Sequence, residues 1–155
     1  MRLWNFIFSK KVLQKNRNES LSLFLFGTLF VVAFLLNWFW EVSQTVAFDM
    51  RGVGTGKMLL FCTLAAIVDA IITVIVFWSL QKLFRRRDWK FYVSAAAFGA
   101  IFAILFEQIA FIFGLWSYDQ KMPVLPFLGT GLLPFLQLTI LIPTAIWVTL
   151  KYRTT

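Results

Sequence analysis

Four long apolar stretches, separated by short polar segments, dominate the chain. They cover Leu21–Phe48, Met58–Leu80, Phe91–Gly114 and Gly131–Leu150. Each reaches or exceeds the ~20 residues that an α-helix needs to cross the hydrocarbon core of a bilayer. The alternation of polar and apolar positions that marks membrane β-strands is absent. The pattern therefore predicts an all-α integral membrane protein with four transmembrane helices.

The amino-acid composition also indicates a protein whose surface is mostly in contact with lipid. Of the 155 residues, 60% are hydrophobic, 19% are aromatic and only 14% are charged, whereas about a quarter of a soluble domain is charged. The polar segments between the apolar stretches are too short to separate domains. We therefore expect residues 21–150 to form a single domain, folded as an up-down-up-down four-helix bundle.

The net charge of +8 is distributed unevenly along the chain. Twelve of the 15 lysines and arginines lie before the first stretch, between the second and third, or after the fourth. Basic residues favour the cytoplasmic side, so we expect a multi-pass protein of the cell membrane with both termini in the cytoplasm. The run "RRRDWK" also resembles a nucleic-acid patch, but its position between two spans favours the inner membrane surface, and we expect no nucleic-acid partner.

Both ends of the chain are predicted to lie outside the membrane domain. Residues 1–20 form a basic segment that we interpret as interfacial, lying on the anionic leaflet; a frayed basic tail is the alternative. Residues 151–155 are expected to be a short cytoplasmic tail. Cys62 is the one cysteine and there is no histidine, so neither a thiolate cluster nor a histidine-based metal site is expected. We expect no metal and no cofactor.

Polar side chains interrupt the apolar stretches at corresponding depths. Asn37, Glu41 and Gln44 lie late in the first stretch, Asp69 near the middle of the second and Glu107 late in the third. Gln137 lies early in the fourth. If consecutive spans run in opposite directions, all six reach the middle or the outer half of the membrane. On the third stretch, small residues share the face of Glu107 and should admit a neighbouring helix; these are Ala96, Ala100, Ala103, Ala110 and Gly114.

The three carboxylates Glu41, Asp69 and Glu107 are costly in this position. No lysine or arginine lies beside them within the spans, and an isolated charge costs about 2.5–3.5 kcal/mol or more at the centre of a bilayer. We therefore expect them to face the bundle interior and to share protons. Neutral hydrogen-bonding groups that fix helix packing are the simpler alternative.

Aromatic residues surround the predicted carboxylate cluster. Their faces offer π electrons to a cation, although Trp116 and Tyr118 also fit an aromatic belt at the membrane surface. We assign them, with the amides, to a substrate-binding wall. This candidate wall comprises Asn37, Trp38, Trp40, Gln44, Phe106, Phe111, Trp116, Tyr118 and Gln137.

The first predicted hairpin carries "NWFWE", Asn37–Glu41, and "IVDA", Ile67–Ala70, in its second span. With these two motifs it resembles the integral-membrane terpene cyclases of meroterpenoid pathways. The resemblance implies that Glu41 matches the acidic residue of an Asn-x-x-Trp-Glu helix, that Asp69 supports it, and that the reaction begins by protonating an epoxide or alkene. The family has more spans than this chain, and its second catalytic carboxylate has no match here. Small lycopene cyclases and the sterol-isomerase-like fold are similar in architecture and in pairing carboxylates with aromatics.

Three hypotheses about function follow from the sequence. The first is a membrane-embedded isomerase or cyclase that transfers protons to a hydrophobic, isoprenoid-like lipid, with Glu41, Glu107 and Asp69 as catalytic carboxylates. The second is a small proton-coupled transporter of a lipophilic cation or lipid, similar to the small multidrug exporters. The third is a non-catalytic membrane subunit or assembly factor. In each case membrane lipids are partners, and a homo-oligomer is left open.

The polar segment before the fourth stretch carries more helix breakers than a connecting turn needs. "WSYDQKMPVLPFLGTG" contains Pro123, Pro126, Gly129 and Gly131, which exclude an extension of either helix. We expect this segment, with Phe127, to fold back over the outer end of the bundle as a lid. An ordinary ordered turn is the alternative.

Overall fold

The computed structural model describes residues 2–48 and 52–153, with the side chains of 21–48 and 52–152. Within these ranges lie α1 (Arg2–Gln44), α2 (Thr55–Leu83), α3 (Trp89–Ile112) and α4 (Leu132–Arg153). A short 3₁₀ helix, Thr45–Ala47, follows α1. Four helical segments are long and apolar enough to cross a membrane; these are Leu21–Ala47, Thr55–Leu83, Trp89–Ile112 and Leu132–Tyr152. The predicted all-helical class is confirmed, with four helices long and apolar enough to span a membrane, whose bounds differ from the prediction by a few residues.

The ends of the helices differ from the sequence prediction in three places. α1 is continuous from Arg2, so residues 2–20 extend the first helix; their side chains lie outside the described part, and their interfacial position stays a prediction. α4 continues to Arg153, and Thr154 and Thr155 lie outside the described residues, as does Met1. α2 begins at Thr55 and ends at Leu83, so it extends by three residues at each end beyond the predicted stretch Met58–Leu80.

Two helical hairpins make up the bundle. α1 packs extensively on α2 and α3 on α4, and the hairpins meet mainly through α1 and α4. α2 and α3 touch over a smaller area. Their ring contacts lie near the turn that joins them, where Phe77 and Phe84 each meet Phe91 edge-on, with centroids 6.3 and 6.0 Å apart.

α3 and α4 approach each other closely at Gly99. A Cβ atom there would collide with the backbone carbonyl of Leu138, so only glycine allows this contact. The prediction of the small-residue face of α3 was wrong in part: Ala95 and Gly99 are buried where Ala96 and Ala100 were expected, and Gly114 is exposed. Ala103, Glu107 and Ala110 lie on the buried face as expected. The close approach at Gly99 rotates this face towards α4.

The bundle interior divides into an apolar and a polar half. Fifteen buried apolar residues, among them Leu29, Phe77, Phe91 and Ile142, fill the half nearest the α2–α3 turn. Most buried polar side chains lie towards the other end; these are Asn37, Gln44, Glu107, Thr130 and Gln137, whereas the buried hydroxyls of Thr73 and Thr149 lie in the apolar half. Large apolar residues such as Leu23, Phe24 and Val46 are exposed on the outer faces, as expected of surfaces in contact with lipid.

Candidate functional site

The side chain of Gln137 connects three helices in the polar half of the bundle. Its Nε2 lies 2.8 Å from Oε1 of Glu41, 2.9 Å from Oδ2 of Asp69 and 3.1 Å from Oδ1 of Asn37. Gln137 and Asn37 are almost completely buried, and the two carboxylates are half-buried. One amide from α4 therefore holds carboxylates of α1 and α2 side by side.

The number of hydrogen atoms at this point is informative. The amide nitrogen of Gln137 carries two hydrogens, yet it faces three acceptor oxygens. A carboxylate is an acceptor only, so two ionised carboxylates would compete for too few donors and repel each other. One proton held by the Glu41–Asp69 pair would supply the missing hydrogen and remove one charge. The arrangement of atoms thus suits a pair that holds one proton.

A chain of donors leads from the helix surface to this pair. The indole Nε1 of Trp40 donates to Oε1 of Gln44 at 3.1 Å, and Nε2 of Gln44 donates to Oε1 of Gln137 at 3.0 Å. Gln137 then donates to the carboxylates. Because every donor points the same way, each bond polarises the next. Trp40 and Gln44 therefore support the carboxylates through Gln137, and Gln44 is too deeply buried for a first contact with a ligand.

Glu107 lies near the pair but outside its hydrogen-bond network. The side chain is 4% exposed, and its Oε2 has no hydrogen-bond partner among the described residues. Its carboxylate interacts with the Trp116 side chain and is close enough to Glu41 for an electrostatic interaction. A buried polar atom without a partner costs about 1–3 kcal/mol. Such an oxygen can carry the proton of a neutral carboxyl group, or it can accept a hydrogen bond from a ligand.

The structure separates the other predicted aromatic residues. Trp38 donates to Oγ1 of Thr63 at 3.1 Å, so its polar edge ties α1 to α2. Phe106 is 38% exposed and packs against Phe102, with centroids 6.3 Å apart. It is thus on the outer side of α3. Of the predicted wall, Trp116 is the aromatic residue whose interaction with a carboxylate is observed.

The segment between α3 and α4 folds back onto the residues that follow α1. Asp119 N donates to the Ala47 carbonyl at 3.1 Å, and the Tyr118 ring meets Phe48 and Phe111 edge-on, at 5.5 and 5.0 Å. The Tyr118 hydroxyl also accepts a hydrogen bond from Gly131 N at 2.6 Å. The segment is therefore an ordered cap beside the polar half. Phe127, at its tip, is fully exposed with a φ of 68° and makes no cover over the bundle.

Two threonines belong to this region although no role was predicted for them. Thr63 accepts the hydrogen bond from Trp38, a partner that any half-buried indole needs. Thr130 is completely buried, and its hydroxyl lies 3.3 Å from Nε2 of Gln108, which also donates to the Leu128 carbonyl at 2.9 Å. The position of Thr130 in "GTG" indicates a turn, and nothing in that pattern predicts its burial.

Within the ranges that the structure describes, no group of three or more histidine, cysteine, aspartate or glutamate side chains is arranged to hold a metal ion. The chemistry available to the site is that of carboxyl protons, amide dipoles and aromatic faces. Two carboxylates share one amide donor, and a third lies beside them with an unpaired oxygen. This arrangement can store a proton, donate it and accept another.

Comparisons with known proteins add no assignment to this geometry. No protein-family model, no curated protein and no solved structure matches the chain.

Proposed function

We propose that this protein is a membrane-embedded isomerase or cyclase that transfers protons to and from a hydrophobic, isoprenoid-like lipid. The observation that carries the proposal is the meeting of Glu41, Asp69 and Gln137 at one buried point, with Glu107 close by. Packing alone rarely requires three carboxylates inside a membrane bundle, where each is costly. Proton transfer requires groups of this kind in a water-poor site.

In this proposal Glu107 is the acid. Its unpaired Oε2 carries the proton, which passes to one carbon of an alkene. The π electrons of the alkene form the new C–H bond, and the electrons of the broken O–H bond stay on the Glu107 carboxylate. The resulting carbocation is stabilised by the carboxylates and by the π face of Trp116. The Glu41–Asp69 pair removes a proton from a neighbouring carbon, and the double bond forms again at a new position. Return of that proton to Glu107 restores the site.

Access to the site would be lateral. α2 and α3 pack over a small area, so a lipid could enter between the two hairpins. The capping segment would help to exclude water from the site. We propose an up-down-up-down arrangement in the cell membrane with both termini cytoplasmic, so that the carboxylates lie in the outer half of the bilayer. The distribution of basic residues supports this orientation.

The two-hairpin architecture also supports a second candidate. The polar site lies where α1 and α4 join the hairpins, and movement of one hairpin against the other would open it to alternate sides, as in a proton-coupled transporter of a lipophilic cation or lipid. Transport needs the same shared proton, which would leave as the cation binds. The two candidates therefore differ in the ligand and in whether it is altered.

Mass spectrometry of lipids that co-purify with the protein tests the proposal. We expect an isoprenoid lipid with the wild type, and a changed ratio of double-bond isomers or cyclised forms with Glu41→Gln. Asp88→Asn, which makes the same carboxylate-to-amide change at the far end of the bundle, is the matched control and should give the wild-type lipid pattern. A lipophilic cation whose retention depends on pH would favour transport instead. The same phospholipids in all three samples would contradict both candidates.

A further inference from the structure

The turn between α2 and α3 borders a second candidate site that is separate from the carboxylates. An open cavity of about 440 Å³ lies there, lined by Gln81, Phe84, Arg85, Arg87 and Phe91. Its lining contains two guanidinium groups, an amide and two aromatic rings, and no carboxylate. A cavity of this composition has the chemistry to hold an anion with an apolar neighbour.

The local sequence explains why the arginines converge. α2 ends at Leu83, and α3 is capped by Asp88, whose Oδ1 accepts from Lys90 N and Phe91 N at 3.1 and 3.4 Å. The intervening turn is too short for its cations to separate widely. Arg87 lies over the Phe77 ring, 5.7 Å from its centroid, which directs this guanidinium towards the bundle. Asp88 is committed to the helix cap and forms no ion pair with either arginine.

The side chains that flank the cavity are of the kinds found at a membrane surface. Lys82 lies 3.3 Å over the Trp78 ring and Lys90 5.8 Å from that of Trp89, on the turns that flank the cavity. Tryptophan and lysine pairs of this kind are typical of the boundary between hydrocarbon and headgroups, where the ring stays in the apolar layer and the amine reaches the phosphates. The cavity therefore opens where lipid phosphates are concentrated.

We propose that this cavity binds the phosphodiester headgroup of an anionic phospholipid. Arginine pairs well with phosphate because its fork of N–H donors matches two phosphate oxygens. Arg85 forms no hydrogen bond, ion pair or ring contact within the described part of the chain, so its donors are available. Phe84 and Phe91 would contact the glycerol and the first methylenes of the lipid, which a free phosphate lacks. The proposal does not depend on the function of the carboxylate site.

The test is lipid binding measured by native mass spectrometry on the full chain in detergent. The wild type should bind phosphatidylglycerol about tenfold or more tightly than phosphatidylcholine, and Arg85→Gln/Arg87→Gln should lose that preference. Arg86→Gln is the matched control for the single variant Arg85→Gln: each removes one cation from the same turn, but Arg86 does not line the cavity. Arg85→Gln should weaken the preference for phosphatidylglycerol, and Arg86→Gln should keep it. An equal loss in these two single variants would overturn the proposal and indicate a diffuse charge effect.

A competition with inorganic phosphate and a second double variant complete the test. Inorganic phosphate should not displace phosphatidylglycerol at concentrations similar to that of the lipid; if it does, the cavity is a phosphate site and the lipid proposal is wrong. If the Gln double variant does not fold, Arg85→Lys/Arg87→Lys retains the charge but loses the paired donors. It should bind phosphatidylglycerol several-fold more weakly than the wild type, and unchanged binding would contradict the proposed role of the guanidinium forks.

Discussion

The Nε2 atom of Gln137 lies 2.8 Å from the Oε1 atom of Glu41, and this contact joins the two hairpins in the polar half of the bundle. It pairs a carboxylate of α1 with an amide of α4 that is itself 2% exposed. The same nitrogen faces Asp69 of α2 at 2.9 Å. Helix packing and the proposed proton chemistry therefore depend on one side chain.

Replacement of Gln137 by methionine should destabilise the bundle. The volume is nearly kept, but Glu41 and Asp69 lose their common donor, and Gln44 loses its acceptor. A cost of about 1–3 kcal/mol is expected for the groups left unpaired. Thermal unfolding in detergent measures it, with Gln81→Met, a change of an exposed glutamine on α2, as the control. A Gln137→Met variant as stable as the wild type would show that the network contributes nothing to packing.

Glu41→Gln should keep the fold and lose the function. The glutamine oxygen can still accept from Gln137, but the side chain can no longer hold the shared proton. Glu41→Ala should lower the unfolding temperature as well, because Gln137 then loses an acceptor and a space opens beside it. Chromatographic behaviour and unfolding temperature of the two variants measure the difference. A Gln variant with full activity would mean that Glu41 has a packing role alone.

The close approach of α3 and α4 predicts an intolerance to the smallest substitution. Gly99→Ala places a Cβ against the Leu138 carbonyl, and backbone atoms cannot move aside as a flexible side chain would. We expect a loss of about 1–3 kcal/mol. Gly27→Ala is the control, because a Cβ there meets no atom within 4 Å. Equal unfolding temperatures for the two variants would contradict the packing of these helices.

The distribution of charge predicts which loops are accessible from each side. In a background with Cys62→Ala, a reagent confined to the outer face should label a cysteine at position 54 and not one at position 86. Cys62 itself is 3% exposed, so its removal serves to eliminate slow labelling in the bundle. The opposite labelling pattern would place the carboxylates in the inner half of the membrane.

The fold class was predictable because span length and apolar composition are local properties. The six polar positions were also predictable as interior, since lipid excludes them. The sequence could not show that Gln137 would contact both Glu41 and Asp69, whereas Glu107 would keep an unpaired oxygen. That outcome depends on the rotation of each helix, and on α3 the rotation is set by Gly99, a residue that carries no chemistry.

The positions of the aromatic side chains were even harder to predict from the sequence. Trp38 and Trp40 stand on either side of Phe39 in "NWFWE", yet one donates to Thr63 on α2 and the other to Gln44 on its own helix. Adjacent positions on a helix point in different directions, so proximity in sequence to Glu41 did not place both rings in one wall. Trp116 belongs to the capping segment and interacts with Glu107. The proline and glycine residues of that segment predict that it folds back, but they do not predict this contact.

Incorporation of solvent deuterium into an isoprenoid lipid tests the central claim most directly. Membranes containing the protein are incubated in D₂O, and the isoprenoid fraction is analysed by mass spectrometry. A carbon-bound deuterium should appear with the wild type and with Asp88→Asn, and it should be lost with Glu107→Gln and with Glu41→Gln, because an amide cannot supply or accept the transferred proton. Equal incorporation in all four samples, or none with the wild type while its isoprenoid lipid is bound, would contradict proton transfer to carbon at this site.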